Sequence, residues 1–221
     1  MKVKSVLVIG LGRFGRNLAN KMRDLGNDVM IVDKNEKLVN EMAPKFTDSH
    51  IGDCTNEAVV RALGVKQMDY CFVSIGEDFQ SSLVITSLLK RAGAKYVVAK
   101  ANQDIQAELL AQIGADEVIY PEKEIAESLA IRYNSNNIFD YVQLTADYSI
   151  YEVPVMSAWE GKTIVEIDVR RKHHLNIIAV KPENQSLNPM PGADYVFQKN
   201  DHVVVMGKSS DVFKVAGKRK R

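Results

Sequence analysis

The sequence predicts an α/β protein: a doubly wound parallel sheet followed by a second, smaller α+β domain. Three features carry this. Up to residue 120, six short β-branched runs alternate with amphipathic runs of helical period, a pattern that places parallel strands between helices on both faces. The first strand leads into a glycine-rich turn, Gly10-Leu11-Gly12-Arg13-Phe14-Gly15, that opens a helix. From Tyr148 onward the texture changes to short strands punctuated by proline and glycine.

In chain order, strands are predicted at 5–9, 29–32, 49–51, 71–75, 96–99 and 117–120, with helices at 14–25, 36–43, 57–63, 80–92 and 105–113. Asn35, Thr55 and Asn102 stand where a side-chain oxygen can cap the helix that follows. Gly26, Gly64, Gly93 and Gly114 mark helix ends. Pro121 opens a helix at 122–133, which runs into the polar break Asn134-Ser135-Asn136-Asn137, and a second short helix is predicted at 138–144. Strands at 150–155, 176–180, 195–197 and 202–206, with a short helix at 163–169, are expected to form a small mixed β domain. The expected organisation is residues 1–134 as the first domain, 135–147 as a crossover or linker helix region, and 148–221 as the second domain.

Composition narrows the function classes. The chain has 221 residues, 46% of them hydrophobic, and at this length folding buries roughly 70% of the unfolded surface, so no staples are needed. Twenty-nine Lys and Arg against 28 Asp and Glu leave a net charge of +1, without the basic excess that a general nucleic-acid binder needs to neutralise phosphates. Two cysteines, Cys54 and Cys71, make no disulfide framework and point to a reducing compartment. The basic-then-apolar opening is too short in its apolar run, 6–9, for a signal peptide. No run approaches the ~20 apolar residues of a membrane span, so direct membrane insertion is not expected.

The glycine turn in its strand–turn–helix context predicts a Rossmann-like nucleotide site. Gly10 permits the tight turn, Gly12 lets a diphosphate approach the backbone, and Gly15 lets the helix pack close to the strand. The helix N-terminus, at Arg13 and Phe14, favours an anion. Asp33, 21 residues after Gly12, ends the second strand, where its carboxylate can accept both ribose hydroxyls and disfavour a 2′-phosphate. Lys34 and Asn35 follow it. Gly52-Asp53-Cys54-Thr55 is expected to border adenine, with Asp53 accepting the amino group and Cys54 packing on the ring; Asp53 and Thr55 also read as turn and cap residues. Ile75-Gly76-Glu77 falls near the point where strand order reverses, and Gly76 suits close ligand approach.

Arg13 bears on which nucleotide is bound. An arginine inside the glycine turn crowds the second half of a dinucleotide but gives a terminal phosphate a charge-assisted partner, which favours ATP or ADP over NAD. Glu122, in Pro121-Glu122-Lys123-Glu124, reads by spacing as a first-turn acid that suits the helix dipole, and a carboxylate there can also meet a divalent cation on the phosphates. No nucleophile elbow, metal-ligand cluster or P-loop is present, and the second domain is small for a substrate domain. A ligand-sensing module is therefore expected, not an enzyme, with a small NAD-dependent oxidoreductase or NAD redox sensor as the alternative.

The glycine turn, Asp33, Gly52-Asp53-Cys54-Thr55, Ile113-Gly114-Ala115-Asp116 and Pro121-Glu122-Lys123-Glu124 together resemble the RCK (TrkA/Ktr-type) cytosolic regulatory subunits of bacterial potassium transporters, nearest to the KtrA/KtrC type. The resemblance spans the whole chain. It implies an RCK N-lobe and a TrkA-C-like C-lobe, ATP and ADP in the N-lobe, and a homodimer assembled into an octameric ring under a membrane potassium channel subunit. It therefore implies a cytoplasmic, peripheral location at the inner face of the membrane. It further implies that Arg13 reaches the γ-phosphate, in some cases in the neighbouring subunit's site. Glu122 would hold a cation (Mg or Ca), and Lys100 and Asn35 would line the pocket. In the C-lobe it implies cyclic di-AMP at a dimer interface, with Ile164, Val169, Arg170, Asn176, Ile177 and Pro191 at the matching positions. Arg171 stands where close relatives carry a small residue, a departure that either adds a phosphate contact or obstructs the pocket.

Overall fold

The computed structural model describes residues 2–134, 138–145 and 147–216. The chain divides into two compact units, Met1–Lys123 and Glu124–Arg221. Residues 135–137 of the polar break and the basic tail 217–221 lie outside the described residues.

The first unit is a six-stranded sheet: β1 (Ser5–Ile9), β2 (Asp28–Asp33), β3 (Asp48–Ile51), β4 (Tyr70–Val73), β5 (Val97–Lys100) and β6 (Glu117–Ile119). The strand order is β3-β2-β1-β4-β5-β6, and every pairing is parallel. Strand order reverses between β1 and β4, which opens a crevice above their carboxyl ends. Helices α1 (Arg13–Asp24), α2 (Glu36–Met42), α3 (Glu57–Ala62), α4 (Phe79–Arg91) and α5 (Asp104–Gln112) connect the strands. Side chains alternate across a strand, so Leu7 and Ile9 of β1 enter one core cluster while Val6 and Val8 enter the other. All four are essentially inaccessible, and each contributes roughly 1.5–3 kcal/mol of hydrophobic stabilisation.

Two predicted caps are corrected. Asn35 caps α2 as expected, accepting from Lys37 and Leu38. However, Asn56 caps α3 in place of Thr55, whose hydroxyl donates to Asp53. Gln103 occupies the N-cap of α5 in place of Asn102, whose amide donates to the Gly76 carbonyl. β4 also ends at Val73, two residues earlier than predicted, because the Ser74 hydroxyl turns back to the Ile9 and Gly10 carbonyls.

Helix α6 (Pro121–Asn134) starts in the first unit and continues in the second. The second unit is a four-stranded sheet of β7 (Asp140–Gln143), β8 (Tyr148–Pro154), β9 (Asn176–Lys181) and β10 (His202–Lys208), in the order β7-β8-β10-β9. It is antiparallel throughout, not mixed. The predicted helix at 138–144 is instead the edge strand β7. Its Tyr141 pairs with Tyr151 of β8 and the two rings pack 5.1 Å apart, a non-local contact that overrides local helix propensity. The predicted strand at 195–197 is only a bridge from Val196 to Thr163. Helices α7 (Ile164–Ile167), α8 (Val169–His173) and α9 (Ser209–Ala216) complete the unit. The last of these was not predicted. Tyr151, Val153, Phe197, Val203, Val205 and Val212 form its core.

One polar cluster on this sheet makes stability depend on pH. Glu152 of β8 pairs with His202 Nδ1 at 2.8 Å and Lys181 Nζ at 3.2 Å. Burial works to raise its pKa, but the hydrogen bonds from His202 and Lys181 outweigh it and hold it below the ordinary 4.5. A depressed carboxylate pKa gives stability that is fully present above the unfolded value and is lost as pH falls through the folded one. Glu152→Gln should therefore flatten the acid limb of a plot of melting temperature against pH, by calorimetry. An acid limb as steep as wild type would contradict this.

Candidate functional site

The loops at the carboxyl ends of all six strands line a cavity of about 760 Å³. Gly10 takes φ +92°, a backbone conformation strained for a side chain but open to glycine. Its N–H donates to the Val32 carbonyl, and its own carbonyl accepts from Ser74 Oγ at 2.7 Å. Gly12 is the N-cap of α1; a Cβ built on it meets nothing within 4 Å, so the turn is open on the cavity side. α2, α3 and α4 each have a side-chain cap, from Asn35, Asn56 and Asp78, whereas α1 has none and no acid in its first turn. Its N-terminal positive dipole end therefore faces the cavity without protein compensation.

Asp33 is anchored more firmly than the sequence suggests. Its Oδ2 accepts the Leu11 N–H at 2.6 Å and its Oδ1 accepts the Asn35 N–H at 2.8 Å. A carboxylate has about four acceptor positions, so two remain for ligand hydroxyls. Asp53 accepts the hydroxyl and N–H of Thr55, and these bonds lower its pKa. Cys54 lines the cavity, but burial, aided by the Asp53 and Asp33 carboxylates, pushes its thiol up to about 12. Burial takes Cys71 to about 12 as well. Neither is a thiolate nucleophile at neutral pH.

On the far side of the reversal point, Lys100 is only 9% exposed and holds Glu122 Oε1 at 2.7 Å. That hydrogen bond is the main cause of the lowered Glu122 pKa. Because Glu122 itself is largely exposed, the pair contributes only about 0–1 kcal/mol to stability. Among the described residues, no group of three His, Cys, Asp or Glu side chains is placed to hold a metal. Mg or Ca takes six or more oxygens, and a single carboxylate such as Glu122 supplies part of such a set, the rest coming from nucleotide phosphates and water.

Of the predicted N-lobe residues, the cavity is lined by Gly10, Gly12, Arg13, Phe14, Asp33, Lys34, Asn35, Asp53, Cys54, Ile75, Gly76, Glu77, Lys100 and Glu122. Three lie behind it. Leu11 is core with its N–H given to Asp33, Gly15 packs under Gly10, and Thr55 serves Asp53. Ser74, Asp78, Ser81, Asn102 and Tyr120 also line the cavity, with the apolar Ile9, Leu38 and Ile85, and were not expected there from the sequence. Only Ser74, small and next to Ile75-Gly76, carried a local signal.

Residues 6–121 match the TrkA-N domain family and residues 148–216 match the TrkA-C domain family. The chain belongs to the TrkA-N/TrkA-C (RCK) family. It is 35% identical over 209 residues to the Ktr system potassium uptake protein C of Bacillus subtilis (strain 168), covering 95% of this chain and 94% of that protein. It is 33% identical over 213 residues to the Ktr system potassium uptake protein A of the same organism, covering 96% and 95%. This RCK protein is thus of the Ktr type, a family of non-enzymatic transport subunits.

The GsuK channel shares the RCK fold, with TM-score 0.70 at 20% identity over 98% of this chain and 40% of that one. GsuK is also solved bound to NAD, with TM-score 0.67 at 20% identity over 98% and 40%. A further structure is of GsuK bound to ADP, with TM-score 0.51 at 19% identity over 59% and 35%.

In the TrkA-C domain, Arg170 Nε donates to Asn176 Oδ1 at 2.8 Å. With Tyr148, His174 and Met206 the two line a second cavity of about 480 Å³. The other four predicted residues do not line it. Val169 is core, because Asp168 before it turns left-handed at φ +51° and starts α8 with Val169 facing inward. Ile164 and Ile177 pack on the same core, and Pro191 lies on a loop. Arg171 is exposed.

Proposed function

We propose that this RCK protein is the nucleotide-sensing gating subunit of a Ktr-type potassium uptake system, with ATP and ADP exchanging in the cavity of its first unit. It acts beneath a membrane channel subunit at the inner face of the membrane, as a homodimer built into an octameric ring. No helix among the described residues is long and apolar enough to cross a membrane. The observation that carries the nucleotide reading is the open, uncapped start of α1 at Gly12 beside the tethered carboxylate of Asp33. The first suits a diphosphate and the second a ribose.

ATP and ADP differ by one phosphate, and a ligand moves an equilibrium only by its differential affinity for the two states. Arg13 is the first residue of α1 and is exposed on the cavity rim. Losing one charge-assisted contact costs about 1.5–3 kcal/mol, or roughly ten- to hundred-fold in affinity. Arg13→Ala should therefore erase most of the preference for ATP over ADP in calorimetric titrations, and an unchanged preference would remove Arg13 from this role.

A second reading, NAD in the same cavity, is supported by the NAD complex of the related GsuK channel. Extraction and identification of the nucleotide that co-purifies with the full chain separates the two. ATP or ADP supports the first reading and NAD the second.

For the second unit we infer cyclic di-AMP as ligand, with Arg170 and Asn176 meeting a phosphate. The Arg170–Asn176 pair at a cavity edge supports this. A titration without heat on the folded protein would refute it.

A further inference from the structure

We propose that Asn102 and Tyr120 are positioning residues that couple occupancy of the nucleotide cavity to the first turn of α6. The inference rests on the nucleotide reading above.

Asn102 lies on the loop between β5 and α5, and three bonds converge on it. Its Nδ2 donates to the Gly76 carbonyl, its N–H donates to Gln106 Oε1 at 3.0 Å, and its carbonyl accepts the Tyr120 hydroxyl. Gly76 belongs to the loop after β4 and Tyr120 is the residue before α6, so one side chain and its own carbonyl join two loops to the helix start. Gly76, Asn102 and Tyr120 all line the cavity. A second link runs beside this one. Lys100 at the end of β5 holds Glu122 in the first turn of α6 at 2.7 Å.

The two links share a contact point with any ligand. A Cβ on Gly76 would stand 3.5 Å from Lys100 Nζ and 3.6 Å from Asn102 Nδ2. A group seated on Gly76 therefore bears on both side chains at once. A phosphate drawn to Lys100 competes with Glu122 for that cation, and pressure on the Gly76 loop shifts the carbonyl that Asn102 holds. Both changes arrive at the same helical turn. A third contact to that turn, Lys123 Nζ to Asp104 Oδ1 at 2.6 Å, joins two residues that do not line the cavity, so it serves as the control.

Hydrogen-exchange mass spectrometry on the full chain, with ATP and without, tests the coupling. In the wild type, ATP is expected to change exchange in the peptides of α6. In Tyr120→Phe and Asn102→Ala, each compared with wild type at saturating ATP, that ATP-dependent change should be lost. In Asp104→Asn it should persist. The difference between bound and free states is a readout that a merely stabilising contact would not move. Retention of the full α6 response in both Tyr120→Phe and Asn102→Ala overturns the coupling and leaves the nucleotide reading intact. So does a loss of affinity by more than about tenfold in both, since the residues would then act in binding itself. A wild type that binds no nucleotide refutes the functional reading, and the coupling with it.

Discussion

Replacing Gly15 by alanine is expected to destabilise the first unit by about 2–3 kcal/mol. Elsewhere in a helix the same change would gain up to about 1 kcal/mol from helix propensity. Here the new methyl overlaps the Gly10 carbonyl oxygen and stands 2.5 Å from Ser74 Oγ. The carbonyl cannot retreat cheaply. It accepts the Ser74 hydroxyl, the Gly10 N–H is bonded to Val32, and Gly10 already holds φ +92°. Relief requires moving α1 off β1, which opens the core around Val6, Val8 and Ala19. Chemical denaturation of wild type and variant measures the loss, and a difference below about 0.5 kcal/mol would mean that the helix does not pack as described.

Gly12→Val is expected to do the reverse, abolishing nucleotide binding while leaving the fold in place. Gly12 sits at φ −64° and ψ −175°, a conformation open to any residue, and nothing lies within 4 Å of a Cβ there. The cost is that of a poorer N-cap, about 1 kcal/mol or less. Yet the added isopropyl group stands in the space that a phosphate must occupy to reach the first-turn N–H groups of α1. Affinity for ATP and ADP should fall by about 100-fold or more, with the melting temperature of the free protein nearly unchanged. Binding retained within a few fold would place the phosphates elsewhere. Two glycines three residues apart thus divide the labour: one lets the helix close on the strand, the other leaves the turn open.

The first unit was legible in the sequence because local and global signals agree there. Its central strands β1, β4 and β5 are buried on both faces and read as nearly continuous apolar runs, and glycines close helix after helix. The second unit was less legible. Residues 138–144 hold several apolar side chains in a short run, and it is the pairing of Asp140–Gln143 with β8 that makes a strand of them. Phe197 is fully buried like a strand residue, yet it reaches the core from a loop that is bonded to Gly161 and Lys162 and forms only an isolated bridge at Val196. α9 shows its helical spacing only through Val212, Val215 and Ala216. The site divides the same way. Residues next to the glycine turn and at the end of β2 were readable because one strand–turn–helix unit places them. Asn102 and Tyr120 were not, because their roles exist only once β4, β5 and β6 stand side by side.

We propose that the cavity above β1 and β4 reads adenine nucleotides by their phosphates. Calorimetric titration of the full chain with ATP, ADP and NAD in parallel tests it most directly. Saturable binding of ATP and ADP, distinguishable from each other and both lost in Gly12→Val, is the expected result. Binding of NAD alone, or ATP binding that Gly12→Val leaves untouched, would contradict it.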